Sequence, residues 1–369
     1  MTQYRYLFAD LVSNLIIGEL PLTQVDFTQQ LNAAGTFQGQ IQISDVSETA
    51  LNISNSTIPG RTAIYVDRDG VIVWGGILWS RIYESTTQTI MLTGREFESY
   101  FERRRIAQTQ TFVNTDQLVI ARQLFTYAQG LPYGNIGVQV GAETSGILVS
   151  RTFYGYEQKS VFQGMLDLSQ AGTGTAGSSG FDFNIHCYYD GSGIPQKILQ
   201  LGYPLQGVRY SASNPNIPVL EFPAGNITSY SYSEDGIGAA NSFTVFGSGS
   251  NEGQLQQTNN ATAQLQAGWP ILEDIGNYSD ISDITLLNNI AAGRVAAVKY
   301  PPVSLTMTMP AWQNPVLGSY SVGDDFRVRI IDNRFPNGID QVYRLVALNV
   351  TAGETQAEHV TLSLTLPTY

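Results

Sequence analysis

Between Phe27 and Leu92 the chain alternates apolar and polar residues in five short runs, each ended by residues that turn a backbone. Thr36 to Ser44 sets Phe37, Gly39, Ile41 and Ile43 against polar partners, the two-residue period of a strand with one buried face. Val25 to Gln30 precedes it, and Leu31-Asn32-Ala33-Ala34-Gly35 lies between, so the pair predicts a hairpin. Ile64 to Asp67 and Val71 to Tyr83 flank Arg68-Asp69-Gly70, where Asp-Gly supplies the positive φ of a tight turn. Thr89 to Thr93 then closes on Gly94. Five strands joined this tightly predict an antiparallel barrel or sandwich.

The same order recurs near the other end of the chain. Gly60 opens strand, turn, long strand, turn, strand. Gly323 opens Phe326 to Ile331, a turn through Asp332 to Gly338, Val342 to Val350, a turn at Ala352-Gly353, and Val360 to Leu364. Two antiparallel β-barrels, one at each end, are the expectation.

Helical patterns fall between the β-rich ends. Asn114-Thr115-Asp116 caps a stretch with Leu118, Ala121, Leu124, Phe125 and Ala128 on one face, and Gly130 with Leu131-Pro132 stops it. A second helix is predicted over Glu157 to Ala171, burying Val161, Phe162, Met165, Leu166 and Leu168. After it, Phe181 to Tyr189 alternates, Asp190-Gly191-Ser192-Gly193 turns, and Lys197 to Leu201 pairs back. A third helix is predicted over Ser282 to Val298, with Ile284, Leu287, Ala291 and Val295 in register, before Pro301-Pro302 and a strand from Val303 to Met309. Gly247 to Ala267 is rich in Gly, Ser, Asn and Gln and reads as a loop. The expected fold class is mostly β with an α+β insert: a first barrel over 1–96, the insert over 97–220, and a second barrel over 221–369. That second barrel carries a loop at 247–280 and a helix at 282–298.

Composition narrows the function. The chain has 369 residues, of which 43% are hydrophobic and only 14% charged, against about 25% in an ordinary soluble domain. Much of its surface is expected to be covered by something else. A net charge of −12 argues against wrapping nucleic acid, which needs clustered Lys and Arg. One cysteine, Cys187, excludes an internal disulfide, and with two histidines it leaves no Cys/His zinc set. The first 22 residues lack a basic region leading to an apolar core, and no run of about 20 apolar residues occurs.

The opening Tyr6-Leu7-Phe8-Ala9-Asp10-Leu11, then Glu19-Leu20-Pro21-Leu22, Leu31 to Phe37, Ile58-Pro59-Gly60, Val73-Trp74-Gly75-Gly76-Ile77 and Gly94-Arg95-Glu96 follow in a fixed order. In that order they resemble the minor tail proteins of long non-contractile-tailed actinobacteriophages. Ser321-Val322-Gly323-Asp324 and Tyr343-Arg344-Leu345-Val346 fit the resemblance, whereas Asn251 to Asp280 has no counterpart in it. These proteins are similar to the baseplate hub of contractile phages, a trimer with two tube-like barrels per chain in a pseudo-sixfold ring. The resemblance thus implies a structural virion protein with two tail-tube-like barrels. It would be a homotrimeric hub at the distal tail tip, adapting the sixfold tube to a threefold tip and forming part of the DNA-exit channel. The implied partners are its own copies, a distal tail or tail-tube protein, other tip proteins and the tape measure protein.

Candidate chemistry is sparse. Gly172 to Gly177 satisfies G-x-G-x-x-G but follows a helix and precedes a strand, the reverse of a dinucleotide site, and reads as a linker. His186, beside Asp182 and Asn184 on its strand, and His359, beside Glu358, read as exposed strand histidines. Three acidic pairs, Glu96/Glu98, Glu273/Asp274 and Asp324/Asp325, could serve a wall hydrolase, which needs two carboxylates about 5–9.5 Å apart. Their plainer readings are a helix start, a polar loop and a turn. Glu102-Arg103-Arg104-Arg105 reads as solvated charge with a Glu102–Arg105 pair, or as an ion-pair patch between subunits. Trp74 and Trp79, five residues apart on one strand, face opposite ways, one to the core and one outward. The interface candidates are therefore Arg103, Arg104, Arg105, Trp74 and Trp79; no catalytic residue, metal or cofactor is expected. A host-receptor or carbohydrate-binding tip protein is the alternative, and a cell-wall hydrolase the third reading.

Overall fold

The computed structural model describes residues 2–43, 51–170, 180–279, 281–301, 303–352 and 357–367. The Gly172–Gly177 stretch lies outside them. The chain is mostly β, with 44% of the described residues in strands and 18% in helices.

The first unit comprises β1 (Tyr4–Asp10), β2 (Ile16–Glu19), β3 (Thr23–Gln30), β4 (Thr36–Gln42), the one-turn helix α1 (Ile53–Ser56), β5 (Thr62–Arg68), β6 (Val71–Glu84) and β7 (Thr89–Glu96). A first insert follows: α2 (Glu98–Glu102), β8 (Gln110–Asp116), α3 (Gln117–Gly130), β9 (Val138–Val140), β10 (Leu148–Phe153), α4 (Val161–Gln170), β11 (Asp182–Tyr189) and β12 (Pro195–Gly202). The second unit opens with β13 (Val219–Phe222) and β14 (Ser229–Glu234). A smaller insert then holds β15 (Ser242–Phe246), β16 (Gln256–Asn260), α5 (Thr262–Gln266), β17 (Glu273–Asn277) and α6 (Ile284–Val298). The unit ends with β18 (Val303–Pro310), β19 (Asp325–Ile330), β20 (Ile339–Ala352) and β21 (His359–Thr365).

Local chemistry explains the best-defined turns and caps. Asp69 and Gly70 take φ of 52° and 85° between the paired residues Arg68 and Val71, the two-residue hairpin that their side chains favour. Asp116 caps α3 by accepting from the Leu118 N–H at 2.9 Å, and Leu118, Ala121, Leu124, Phe125 and Ala128 are buried as their spacing predicts. Two helices start later than expected. Gly155–Glu157 is a 3₁₀ turn and Gln158 is left-handed, so α4 begins at Val161. Asp283 caps α6, leaving Ile284 in its first turn half exposed, while Leu287, Ile290, Ala291 and Val295 are buried.

The duplication is visible in the sheet. In the first unit β5, β6, β7, β4 and β3 pair in that order, all antiparallel; β19, β20, β21, β18 and β14 repeat it. β6 and β20 each have 14 residues, and each bulges against its third strand, skipping Trp79 and Val346 respectively. The sixth position differs: β1 runs antiparallel to β5, whereas β13 runs parallel to β19.

Two features depart from expectation. The units are not two closed barrels among the described residues. The far half of β20 pairs with β3, which fuses them into one open 13-stranded sheet over one apolar cluster fed by both units. The stretch expected as a loop at 247–280 holds β16, α5 and β17, and β16 and β17 flank β15 in a small sheet against α6. β16, Gln256 to Asn260, has no fully buried residue and is held as an edge by backbone pairing, so it needs no apolar alternation.

Candidate assembly interface

The sequence-singled residues separate into internal fasteners and surface groups. Trp74 lies in the core, 1% exposed, with its indole N–H donating to the Thr28 carbonyl at 3.0 Å and its ring 5.1 Å from Phe37. Trp79, at the bulge on the opposite face, is half-buried and donates to Ser99 Oγ at 2.8 Å, with the Arg103 guanidinium 5.6 Å above its ring. Arg104 sits over the Tyr100 ring and donates to the Ala128 carbonyl at 3.2 Å. Arg103 and Arg105 remain exposed. Glu102 does not pair with Arg105: α2 ends at Glu102, so Arg105 is off the helix, and Glu102 instead takes a bidentate pair from Arg95 at 2.6 and 2.7 Å.

Two of the acidic pairs fasten backbone of distant segments. Glu96 Oε2 accepts from the Gly35 N–H at 2.7 Å within the first unit, and Glu98 Oε1 accepts from the Ile185 N–H at 2.5 Å, tying α2 to β11 within the insert. Burial pushes both carboxyls up, Glu98 to about 7. Asp324 accepts from the backbone N–H groups of Val208 and Ser321, and Asp325 from that of Tyr210, which clamps the linker from the first insert onto β19. Burial raises Asp324. Glu273 and Asp274 lie on the exposed strand β17 rather than in a loop.

Neither histidine is fully exposed. His186 is half-buried and stacked on Tyr188, with burial lowering its pKa, and His359 is half-buried beside the Ala357 carbonyl. Cys187 and Lys197, opposed across β11 and β12, are buried; burial raises the thiol and lowers the Lys197 ammonium to about 8. Among the described residues no group of three His, Cys, Asp or Glu could hold a metal, and no helix is long and apolar enough to cross a membrane. A partly open cavity of about 60 Å³ lies where β6, β11 and the Leu317–Ser321 loop meet, with Glu96 and Cys187 in its wall.

Sequence reasoning missed two further fasteners. Arg344 on β20 donates to Asp182 and to the carbonyls of Gln206 and Gly323, while Asp182 also accepts from Asn32 Nδ2 at 2.9 Å. One buried cluster thus ties the β3–β4 turn, β11 and β20. Arg68 donates bidentately to Glu358 at 2.6 and 3.0 Å, and Tyr4 donates to the same carboxylate, joining β5 and β1 to the turn before β21. Apart from the Arg344–Gly323 contact, their partners are 138 to 354 residues apart, so no local spacing could have announced them.

The surface groups lie toward strand edges. β2 and β14 are the end strands of the 13-stranded path. The β1–β2 hairpin exposes Val12, Leu15, Ile16 and Ile17 beside an open groove of about 530 Å³ that includes Asp10, Asn55 and Arg61. Past its bulge β6 turns outward, exposing Ile82 and Tyr83. Edges of this kind are binding surfaces for further strands.

Neither a protein-family profile nor a curated protein sequence matches the chain. Solved structures do share its fold. A tail protein from Neisseria meningitidis matches with TM-score 0.63 at 16% identity, over 98% of this chain and 96% of its own. The 43 kDa tail protein of prophage MuSo2 from Shewanella oneidensis matches with TM-score 0.62 at 14% identity, over 99% of both chains. Prophage tail protein gp18 from Listeria monocytogenes matches with TM-score 0.55 at 13% identity, over 97% of this chain and 94% of its own. The fold is therefore one found in tail proteins, two of them from prophages, and the likeness spans 97–99% of this chain.

Proposed function

We propose that this chain is a structural, non-enzymatic virion protein of a phage tail, acting as a trimeric hub at its distal tip. Its carrying observation is the duplication: five strands of one unit recur in the other with the same pairing and the same bulge. Three chains then present six like units, a geometry that adapts a sixfold tube to a threefold tip. The likeness in fold to three tail proteins, two of them from prophages, supports a tail role, and the actinobacteriophage resemblance supports the tip. Partners in this reading are two further copies, the distal tail or tail-tube protein, other tip proteins and the tape measure protein. DNA passes through the ring without specific binding, which a net charge of −12 suits. A hydrolase fits less well, because Glu96, Glu98, Asp324 and Asp325 already fasten backbone.

The alternative of a host-glycan binder has one observation in its favour. Trp269 and Tyr300 are exposed rings 6.1 Å apart, and Trp312 is 66% exposed, suitable for stacking on sugar. Solution mass and imaging separate the readings. A trimer that forms a threefold ring below a sixfold one is the expected result. A stable monomer that binds host-wall glycans, and loses them on Trp269→Ala or Trp312→Ala, would replace the hub with the binder.

A further inference from the structure

One strand slot is filled in the second unit and open in the first. Past its bulge β20 has two neighbours, β21 on one side and β3 on the other, where Ala347–Ala352 faces Gln30–Val25. Past its bulge β6 pairs, among the described residues, only with β7, over Ser80–Glu84, because β5 reaches no further than Ile77. There the strand passes from buried to exposed, with Ile82 47% and Tyr83 56% accessible. The counterpart strands show the converse. β3 has β4 and β20 beside it, while among the described residues β14, its equivalent, pairs only with β18. Among those residues, a β6 segment without a second strand neighbour and a β14 edge without one are the two halves of the β20–β3 contact.

We propose that β14 of one copy of this chain adds to β6 of a second copy, repeating between chains the pairing that β3 makes with β20 within one. The inference rests on the ring assembly proposed above and names its interface. The register follows from the ladder. Aligning the bulges puts Ser80 in the place of Ala347 and Tyr83 in that of Val350. Following the pairings outward through β7 and β4, and through β21 and β18, puts Tyr232 in the place of Phe27. Val350 faces Phe27, so Tyr83 faces Tyr232. Arg81, whose Nη1 donates within its own chain to the Ser54 carbonyl and Thr57 Oγ1, then faces Glu234, an opposite-charge pair that the alignment was not chosen to produce. Glu84 faces Ser231. Both partner edges are six residues long or nearly so, matching the six-residue contact of β3 with β20. The contact is head-to-tail, so it propagates around a ring and closes only when the units complete it.

Cysteine pairing reads the register directly. Directly opposed residues have Cβ atoms about 4.5–5.5 Å apart, close to what a disulfide spans, and Glu84 and Ser231 are both exposed, so their replacement leaves the fold intact. Under oxidation Glu84→Cys/Ser231→Cys should give covalent multimers ending at three chains, while neither single variant does; native Cys187 is buried in all of them. As a second arm, Arg81→Glu should weaken assembly about tenfold, as should Glu234→Arg, and the double exchange should restore it. A chain that assembles in threes without the cross-link and without rescue would overturn this strand pairing while leaving the hub. A chain that stays monomeric and never cross-links would overturn both.

Discussion

The two units share a ladder but not a face. At the position where β5 carries Tyr65, fully buried, β19 carries Arg327, half exposed and paired with Asp340. Ala63 and Ile77, opposed in the first unit, correspond to Asp325 and Arg344 in the second. The inward residues are apolar in both: Ile64 and Val66 match Phe326 and Val328. The difference lies in what covers the other side. The first unit's outer face packs on the insert, where Leu7, Ala63, Tyr65 and Ile77 join an apolar cluster with Phe97, Phe101 and Phe125. Among the described residues no such layer lies over β21, whose burial alternates residue by residue. One ladder thus accepts either a double-sided apolar pattern or a single-sided one, according to its neighbours.

The largest test of that comparison is Tyr65→Ala. Removing an aromatic side chain enclosed between two layers should cost about 3–5 kcal/mol in urea unfolding. Arg327→Ala, at the equivalent position, should leave the midpoint near wild type. Comparable losses at the two sites would mean that both faces are covered and the comparison fails.

Next in size is the polar cluster that stands where the first unit has Ile77. Arg344 and Asp182 are both buried, so Asp182→Ala leaves a buried guanidinium short of its carboxylate and should cost about 3 kcal/mol. Replacing the pair together by Met and Leu should recover most of that loss, since both desolvated charges go. A double variant as unstable as the single one would show that the contacts of Asp182 with Asn32 and Gln206, rather than the charge pair, hold the junction.

How much of this was legible depends on where the stabilising partners sit in the sequence. Asp69-Gly70, the Asp116 cap and the face of α3 could be read because cause and consequence lie within a few residues. The duplication could be read because strand lengths and turns survive when identities do not. The fusion of the two units could not: Val25 to Gln30 looks the same whether its second neighbour is in its own barrel or 320 residues away. Nor could the roles of Glu96 and Glu98 as fasteners, because their donors, Gly35 and Ile185, are backbone groups 61 and 87 residues away. The polar β16 was missed because an edge strand held by main-chain bonds carries no apolar signature.

Acidity should grip the α2–β11 contact and leave the second unit's outer face alone. Burial raises Glu98 to about 7, from 4.5 for an ordinary carboxyl, and raises its neighbour Glu96 as well. Below about 4.5 Glu98 is protonated in both states and its contribution is complete. As pH rises toward 7 the unfolded chain ionises first, so the contribution is lost across that window. Lys197, held near 8, adds nothing to this slope below neutrality. Glu98→Gln keeps an oxygen for the Ile185 N–H and should flatten the change in stability between pH 5 and 7 by about 2 kcal/mol. An unchanged profile would place the titration elsewhere.

The smallest effect belongs to the outer pair itself. Arg327 meets Asp340 in a two-point contact at 2.6 and 2.8 Å, geometry that a buried pair would turn into a strong constraint. Here the side chains are 43% and 48% exposed, so water and salt screen the attraction, and Asp340→Asn should not move a thermal melt measurably at physiological salt. Arg327→Tyr imports the first unit's residue without its covering layer. If the difference between the units comes from the insert and not from the ladder, that exchange neither stabilises the isolated chain nor disturbs the β19–β20 pairing. A clear gain in stability would mean that the second unit's outer face already has an apolar neighbour, and the contrast between the two faces would fall.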